Sequence, residues 1–237
     1  MSLNIPLIFR KRKLLKLLAD SDISVSARTE GRTNDQTEKW VMCRLLSTLL
    51  HHNKLVFPIR VVHQDRPDFL LRQRCRKIGV EVTEAIPEKF AAFCALAEKE
   101  FPGKLIEPAH FRLHSPKMST NEMRELLRQT KLTSDGLAGD SIEREWSSLM
   151  HGSIEAKALK LKKEGFSKFK LNWLAIYDNL PFHAVHLEEA VKRLKPLVSK
   201  HWQTSPCFDV IYIEHGPVIV KLTKEGSKHY ELSDLWD

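Results

Sequence analysis

The sequence predicts an α/β protein with a mixed central sheet flanked by helices. Segments rich in β-branched and aromatic residues alternate along the chain with segments whose apolar residues recur at helical spacing. The nearly continuous apolar run from Leu171 to Asp178 is typical of a strand that is covered on both faces. The chain has 237 residues, of which 42% are hydrophobic, so it can bury a sizeable core. One mixed domain with an insertion is therefore expected.

The chain is predicted to divide at about residue 35 into an N-terminal segment and a domain. Residues 1–35 are predicted as a basic, partly helical segment, with leucines at helical spacing up to Leu18, and residues 36–237 as one domain. The next helix is predicted to begin at Asp35 as its N-cap and to reach His51. Glu38 has two interpretations in this helix: it closes a capping box with Asp35, or it is a carboxylate available for chemistry at the edge of the apolar stripe.

A strand over residues 55–62 is predicted to precede a hairpin, whose two strands cover residues 66–71 and 77–84 around the charged tract 72–76. In the second strand Ile78, Val80 and Val82 alternate with polar residues, so Glu81 points to the opposite face. If the hairpin folds back about this tract, Asp68 lies near Glu81. Two carboxylates on neighbouring strands form an oxygen-ligand site for a hard divalent cation.

The rest of the chain continues the alternation. A helix is predicted from Pro87 to Phe101, ended by Pro-Gly. Residues 104–140 are interpreted as an insertion, because they hold too few apolar residues for a core of their own. Within it, we expect a strand over 106–113, a helix over 121–129 and a loop over 133–140. A long basic helix is then predicted, which begins at Ser141 or Ser153 and ends at Glu164. The buried strand follows it, and after that strand we expect a helix over 187–202 and strands over 208–214 and 218–222.

Composition narrows the class of function. A formal net charge of +8 favours an acidic partner, and nucleic acid is the commonest such partner. No apolar run is long enough to cross a membrane, and the basic tract Arg10–Lys13 follows a short apolar start, which is the reverse of a secretory signal. The four cysteines have no zinc-ligand spacing, and the P-loop, dinucleotide-binding and hydrolase-elbow motifs are missing. A cytoplasmic protein without a membrane partner is expected.

Four features follow one another along the chain: the helix with Glu38, Pro67-Asp68, the stretch Ile-Gly-Val-Glu-Val-Thr that carries Glu81, and the strand over 173–177. Together they resemble the PD-(D/E)xK nuclease superfamily, in particular its bacterial and phage-type members. The resemblance covers roughly residues 36–180. It implies a restriction-endonuclease-like core and a metal-dependent nuclease that hydrolyses phosphodiester bonds, with DNA as the expected substrate. It also implies that Asp68 and Glu81 hold Mg²⁺ or Mn²⁺ and that Glu38 supports them.

The sequence departs from the pattern of this family mainly at one position, and Glu84 is a second, small departure as an extra acid at the end of the strand. The family places a lysine two residues after the glutamate, and Thr83 stands there. The replacement could come from Lys77 on the same strand face, or from Lys157 or Lys160 on the basic helix. The candidate catalytic residues are thus Asp68, Glu81, Thr83 and Lys77, and the candidate nucleic-acid contacts are Arg72, Arg74, Arg76, Lys157 and Lys160.

Two alternatives to a nuclease stay open at this point. One is a catalytically inactive protein of the same fold that binds nucleic acid or a partner protein, as Thr83 suggests. The other is a small-ligand or regulatory module that is basic for unrelated reasons. Metal binding separates the nuclease from both, and salt-dependent DNA affinity separates the two alternatives from each other. Whether the chain is a monomer or a homodimer also stays open.

Overall fold

The computed structural model describes residues 2–104, 118–129, 139–167, 169–180, 182 and 184–236. In these residues eight strands form one mixed sheet, and their order across the sheet is their order along the chain. The central strands β4, β5 and β6 are parallel, and every other neighbouring pair is antiparallel. The strands are β1 (Asn4–Ile8), β2 (Ile59–His63), β3 (Phe69–Gln73), β4 (Arg76–Ala85), β5 (Leu171–Asp178), β6 (Val210–His215), β7 (Val218–Thr223) and β8 (Gly226–Glu231).

Helices cover both faces of this sheet, which confirms the predicted mixed sheet flanked by helices. They are α1 (Lys11–Ala19), α2 (Asn34–His51), α3 (Glu88–Glu100), α4 (Thr120–Arg128), α5 (Ser141–Leu161) and α6 (Leu187–Val198), with 3₁₀ turns at Arg28–Glu30 and Ser199–Gln203. None of the helices in the described residues has the length and apolar content needed to cross a bilayer.

The core lies in two layers. On one face, Leu14 of α1 and Leu46 of α2 belong to a buried cluster that includes Ile78, Val80 and Val82 of β4. On the other face, α5 and α6 pack against β5, β6 and β7 through a second buried cluster. Strand β4 thus has one apolar face toward α2, and the alternation directs Glu81 to the side on which α5 lies. The predicted alternation of this strand is confirmed.

The central hairpin forms with a tighter turn than the sequence suggested. Strands β3 and β4 are antiparallel, and Gln73 pairs with Arg76, so the turn consists of Arg74 and Cys75 alone. Arg74 has a φ of 50°, in the left-handed region, and its backbone N–H donates to the carbonyl of Pro58 at 2.8 Å. The charged residues 72 and 76 therefore belong to the strands.

Helix α2 begins earlier than predicted. Thr33 is the N-cap: its hydroxyl accepts from the Gln36 N–H at 3.3 Å, and the Gln36 side chain accepts from the Thr33 N–H at 2.9 Å. The capping box is thus made by Thr33 and Gln36, and the interpretation that Glu38 closes one with Asp35 is wrong. Glu38 lies inside the helix, past its capped first turn.

The N-terminal segment contributes more than the predicted helix. Strand β1 pairs with β2, and Leu3, Ile5, Leu14 and Leu18 are buried in the same cluster as α2 and β4. The segment from Leu3 to Ile23 is therefore packed into the core of the rest of the chain. Strand β8 was also missed, because only Tyr230 among its residues is buried, and an edge strand of this kind shows no apolar alternation.

Several other expectations can be compared directly. Helices α3 and α4 match the predicted segments, and α4 packs on α3 through a small cluster that contains Phe93 and Leu127. Of the two predicted starts for the long basic helix, Ser141 is observed, and the helix ends at Leu161. The predicted helix over 187–202 ends at Val198 and continues as a 3₁₀ turn. The strand over 106–113 lies outside the described residues, and so does the loop over 133–140 up to residue 138.

Candidate functional site

The hairpin brings Asp68 and Glu81 together. Phe69 pairs with Val80, so Asp68, immediately before β3, lies across from Glu81 on β4. The Asp68 carboxylate accepts a hydrogen bond from the Val82 backbone N–H at 2.6 Å. Both side chains are buried, with 8% of Asp68 and 5% of Glu81 exposed. Burial of two neighbouring carboxylates is costly without a compensating cation, so this pair requires a positive charge nearby.

Gly79 permits this approach. A Cβ at position 79 would lie 2.7 Å from the Phe169 ring and 2.8 Å from Cγ of Pro67, closer than real Cβ atoms come to heavy atoms. The absence of a side chain allows the Pro67-Asp68 segment to lie directly against β4. The glycine of the Ile-Gly-Val-Glu-Val-Thr stretch therefore positions the carboxylate of Asp68.

Lys157 of α5 reaches the carboxylates from the adjacent helix. Its ammonium donates to Glu81 Oε1 at 2.7 Å and to the Val82 carbonyl at 2.7 Å. The side chain is only 14% exposed, so the ion pair is shielded from water. The second oxygen of Glu81, Oε2, is buried and has no hydrogen-bond partner among the residues that the structure describes.

Glu38 completes a ring of carboxylates. It lines a cavity of about 430 Å³ together with Asp68, Glu81 and Lys157. Burial, and after it the negative charges of Glu81 and Glu38, raise the pKa of Asp68 to about 7, although the Val82 hydrogen bond and Lys157 act in the opposite direction. The cluster therefore holds more negative charge than its own lysine offsets, which is the electrostatic condition that favours a bound cation.

A histidine adjoins this ring. His63, the last residue of β2, lies with Nε2 2.9 Å from Glu38 Oε2, and its ring stacks on Phe69 at 4.6 Å between centroids. Asp35, Glu38 and His63 each present a ligand atom within 4.8 Å of the others. Sequence reasoning did not assign His63, because its place beside Asp68 depends on the β2–β3 register, in which it pairs with Phe69.

The carboxylates also border a basic cavity. A second cavity of about 390 Å³ shares Glu38, Lys157 and Lys160 with the first and extends past Thr83 to Arg28 and Arg32. Both arginines bond Glu84 of β4, at 2.7 Å from Arg28 and 3.4 Å from Arg32. These two arginines could not be predicted from the sequence, since they lie in and just after a 3₁₀ turn that carries no periodic signal.

The structure separates the predicted residues into two groups. The first group lines the two adjoining cavities and consists of Asp68, Glu81, Glu38, Thr83, Lys157 and Lys160. Lys77 is exposed and pairs in register with Arg72. It precedes Glu81 by four residues, which is about 13 Å along the strand. Arg74 and Arg76 are exposed at the turn, at the far end of the hairpin from the carboxylates. Of the three candidate replacements for the missing lysine, Lys157 is the one bonded to Glu81.

Comparison of the chain with protein-family models, with curated proteins and with solved structures gave no match.

Proposed function

We propose that this protein is a metal-dependent nuclease that hydrolyses phosphodiester bonds, with DNA as its expected substrate. The observation that carries the proposal is the buried cluster of Asp68, Glu81 and Lys157, in which a helix supplies the lysine that the strand lacks at Thr83. A restriction-endonuclease-like arrangement of the sheet and its helices belongs to the same proposal. The net charge of +8 suits a polyanionic substrate.

The residues present fit a divalent cation. Glu81 Oε2 is buried and has no hydrogen-bond partner in the described part of the chain, and the pKa of Asp68 is raised by burial and by two neighbouring carboxylates. Both conditions are relieved by an ion with oxygen ligands. Asp68 and Glu81 would hold Mg²⁺ or Mn²⁺, with support from Glu38. When bound, the ion supplies Lewis-acid stabilisation of the phosphoryl oxygens and lowers the pKa of an attacking water.

In this proposal Lys157 replaces the lysine that the family places two residues after the glutamate. Its role is to orient the attacking water and to offset negative charge. An ammonium group has three N–H donors, and two of them are directed at Glu81 and at the Val82 carbonyl. The third has no acceptor among the residues described, and it can orient a water or a phosphate oxygen in the cavity. Because the first two bonds fix the nitrogen, its charge is placed before the substrate arrives, as electrostatic stabilisation of a transition state requires.

The test is cleavage of supercoiled plasmid and of single-stranded DNA with Mg²⁺ or Mn²⁺. We expect nicking by the wild type and its loss in Asp68→Asn and Glu81→Gln. Lys157→Ala should lower the rate by about 10²- to 10⁴-fold, the usual size of an effect on such a group. Lys77→Ala, a matched change of an exposed lysine, should keep the wild-type rate. Equal losses in both lysine variants would contradict the role of Lys157.

A second candidate is a nucleic-acid-binding protein without catalysis. The ion pair between Lys157 and Glu81 favours it, since a lysine at 2.7 Å can neutralise this carboxylate without any metal. A thermal melt with and without Mn²⁺ distinguishes the two. A metal-dependent rise in melting temperature that Glu81→Gln abolishes supports the nuclease. No rise and no cleavage, with DNA binding retained, would leave the binding protein.

A further inference from the structure

The basic cavity beside the carboxylates suggests a second element of recognition. Four cationic side chains line it, those of Arg28, Arg32, Lys157 and Lys160, against the two carboxylates of Glu38 and Glu84. Glu38 is hydrogen-bonded to His63, and no ion pair to Lys160 occurs within the described ranges. Lys157 is already paired with Glu81, and the other three cations still exceed the two carboxylates. The cavity therefore has an excess of positive charge, and it adjoins the cluster of Asp68, Glu81 and Glu38 through shared lining residues.

Glu84 engages both arginines in this cavity. Its Oε1 accepts from Arg28 at 2.7 Å and from the Asn179 amide at 2.6 Å, and its Oε2 accepts from Arg32 at 3.4 Å. The two guanidinium groups keep 23% and 18% of their side-chain surface exposed, so a ligand can reach them. Their planar forks suit an oxyanion, and a phosphate offers more acceptor oxygens than one carboxylate.

We propose that Arg28 and Arg32 form a subsite for a backbone phosphate of the nucleic-acid strand, and that Glu84 occupies this subsite until the phosphate displaces it. The proposal rests on the proposed function for the identity of the ligand. Glu84 follows Glu81 by three residues on β4, about 10 Å along the strand, and the alternation directs it to the opposite face. The subsite adjoins the reacting position through the cavity, because Glu38 and Lys157 line both this cavity and the one with Asp68 and Glu81. It reads the backbone and not the base sequence.

A purely structural role for these arginines makes a different prediction. As structural ion pairs they would only join the segment around residue 30 to β4, and loss of either the arginine or Glu84 would loosen the same contact. In the subsite, Glu84 competes with the ligand, so its removal frees both guanidinium groups. The effects on affinity of changing the arginines and of changing Glu84 then have opposite signs.

The experiment measures binding of a fluorescently labelled oligonucleotide to the full chain by anisotropy, in EDTA to prevent cleavage, over a series of salt concentrations. Arg28→Ala and Arg32→Ala should each weaken binding by about 5- to 10-fold and lower the slope of log affinity against log salt by about 1. Glu84→Gln should tighten binding by about 3- to 10-fold.

Arg144→Ala is the matched control. This arginine is 63% exposed and lies in the first turn of α5, about 20 Å along the helix from Lys157. It should keep wild-type affinity and slope. Thermal melts of every variant check folding, and Arg32→Lys, which keeps the charge without the fork, should recover part of the affinity if Arg32→Ala folds poorly.

Weaker or unchanged binding by Glu84→Gln would overturn the subsite, as would arginine variants with the wild-type salt slope. Failure of the subsite and failure of the proposed function are distinguishable. If the arginine variants weaken binding and Glu84→Gln tightens it, but the wild type cleaves no DNA, the subsite is supported and only the proposed catalysis is contradicted. Cleavage with no change of affinity in the three variants removes only the subsite.

Discussion

Lys157 shows how a charge that is absent from one strand position can be supplied from a distant part of the chain. Thr83 occupies the position where the resemblance implies a lysine. The ammonium group instead belongs to Lys157 on α5, 76 residues after Glu81, and it donates to Glu81 at 2.7 Å. The charge required beside the carboxylate depends on position in space and not on spacing along the strand. An inactive site is therefore not the necessary conclusion from the missing lysine.

Asp68 should make the metal-free protein less stable as the pH rises. Its pKa is about 7 in the folded chain and near 3.8 when unfolded, because burial and Glu81 disfavour the charge. The folded state thus holds the proton more tightly between these values, and the contribution of this group to stability, full below pH 3.8, is lost as the pH rises to 7. Asp68→Asn should raise the free energy of unfolding at pH 8 in EDTA by roughly 2 kcal/mol.

Urea denaturation at pH 8 and pH 5 checks this, with Asp65→Asn, an exposed neighbour, as the control. The gain from Asp68→Asn should shrink at pH 5, where the wild-type carboxyl is already protonated. Mn²⁺ should stabilise the wild type and not the variant. A variant that is less stable than the wild type at pH 8 in EDTA would contradict the burial argument.

The residues that could be predicted are those whose position follows from local pattern. Asp68 and Glu81 were identified because strict alternation over 78–83 fixes the face of Glu81 and the hairpin fixes its partner. Lys157 was only one of three candidates, since the docking of α5 on β4 cannot be read from the helix alone. Arg28, Arg32 and His63 escaped for the same reason: their roles come from tertiary contacts that no periodicity records.

Among the elements, the β3–β4 hairpin depends on its glycine. Gly79→Ala would place a methyl group 2.7 Å from the Phe169 ring and 2.8 Å from Pro67, and overpacking of this kind costs about 1–3 kcal/mol. We expect a lower free energy of unfolding and, because Pro67 precedes Asp68, a smaller stabilisation by Mn²⁺. Calorimetry with and without the metal measures both effects.

Gly152→Ala provides the control for this change. Gly152 lies inside α5, and nothing approaches its Cβ position within 4 Å. Alanine is a better helix former, so this variant should be more stable by about 0.5–1 kcal/mol. If both glycine variants changed stability in the same direction, the close approach at Gly79 would not be the cause.

Elements with strong periodicity were predicted closely and the others were not. The runs over 171–178 and 218–222 became β5 and β7, because their apolar residues fill the core on both sides. Strand β1 escaped detection because it is short and contains a proline, and β8 because its residues are mostly polar. Both are edge strands, which pair through the backbone and need no apolar pattern.

For the molecule as a whole, the N-terminal segment should unfold together with the rest. Leu14 is fully buried in the core formed with α2 and β4, and its neighbour Leu15 is 41% exposed. Leu14→Ala should lower the free energy of unfolding by about 2–4 kcal/mol in a single transition. Leu15→Ala should stay within about 0.5 kcal/mol of the wild type. A separate early transition in either denaturation curve would show that residues 1–35 form an independent unit.

The order of the strands has a consequence for synthesis. Since the sheet follows the chain from β1 to β8, a chain leaving the ribosome can add each strand at the growing edge, without inserting one between two partners already joined. The hairpin with its two acids is finished long before α5 emerges. A nascent chain therefore carries two neighbouring carboxylates without their lysine, and Lys157 offsets this charge once α5 packs beside the hairpin.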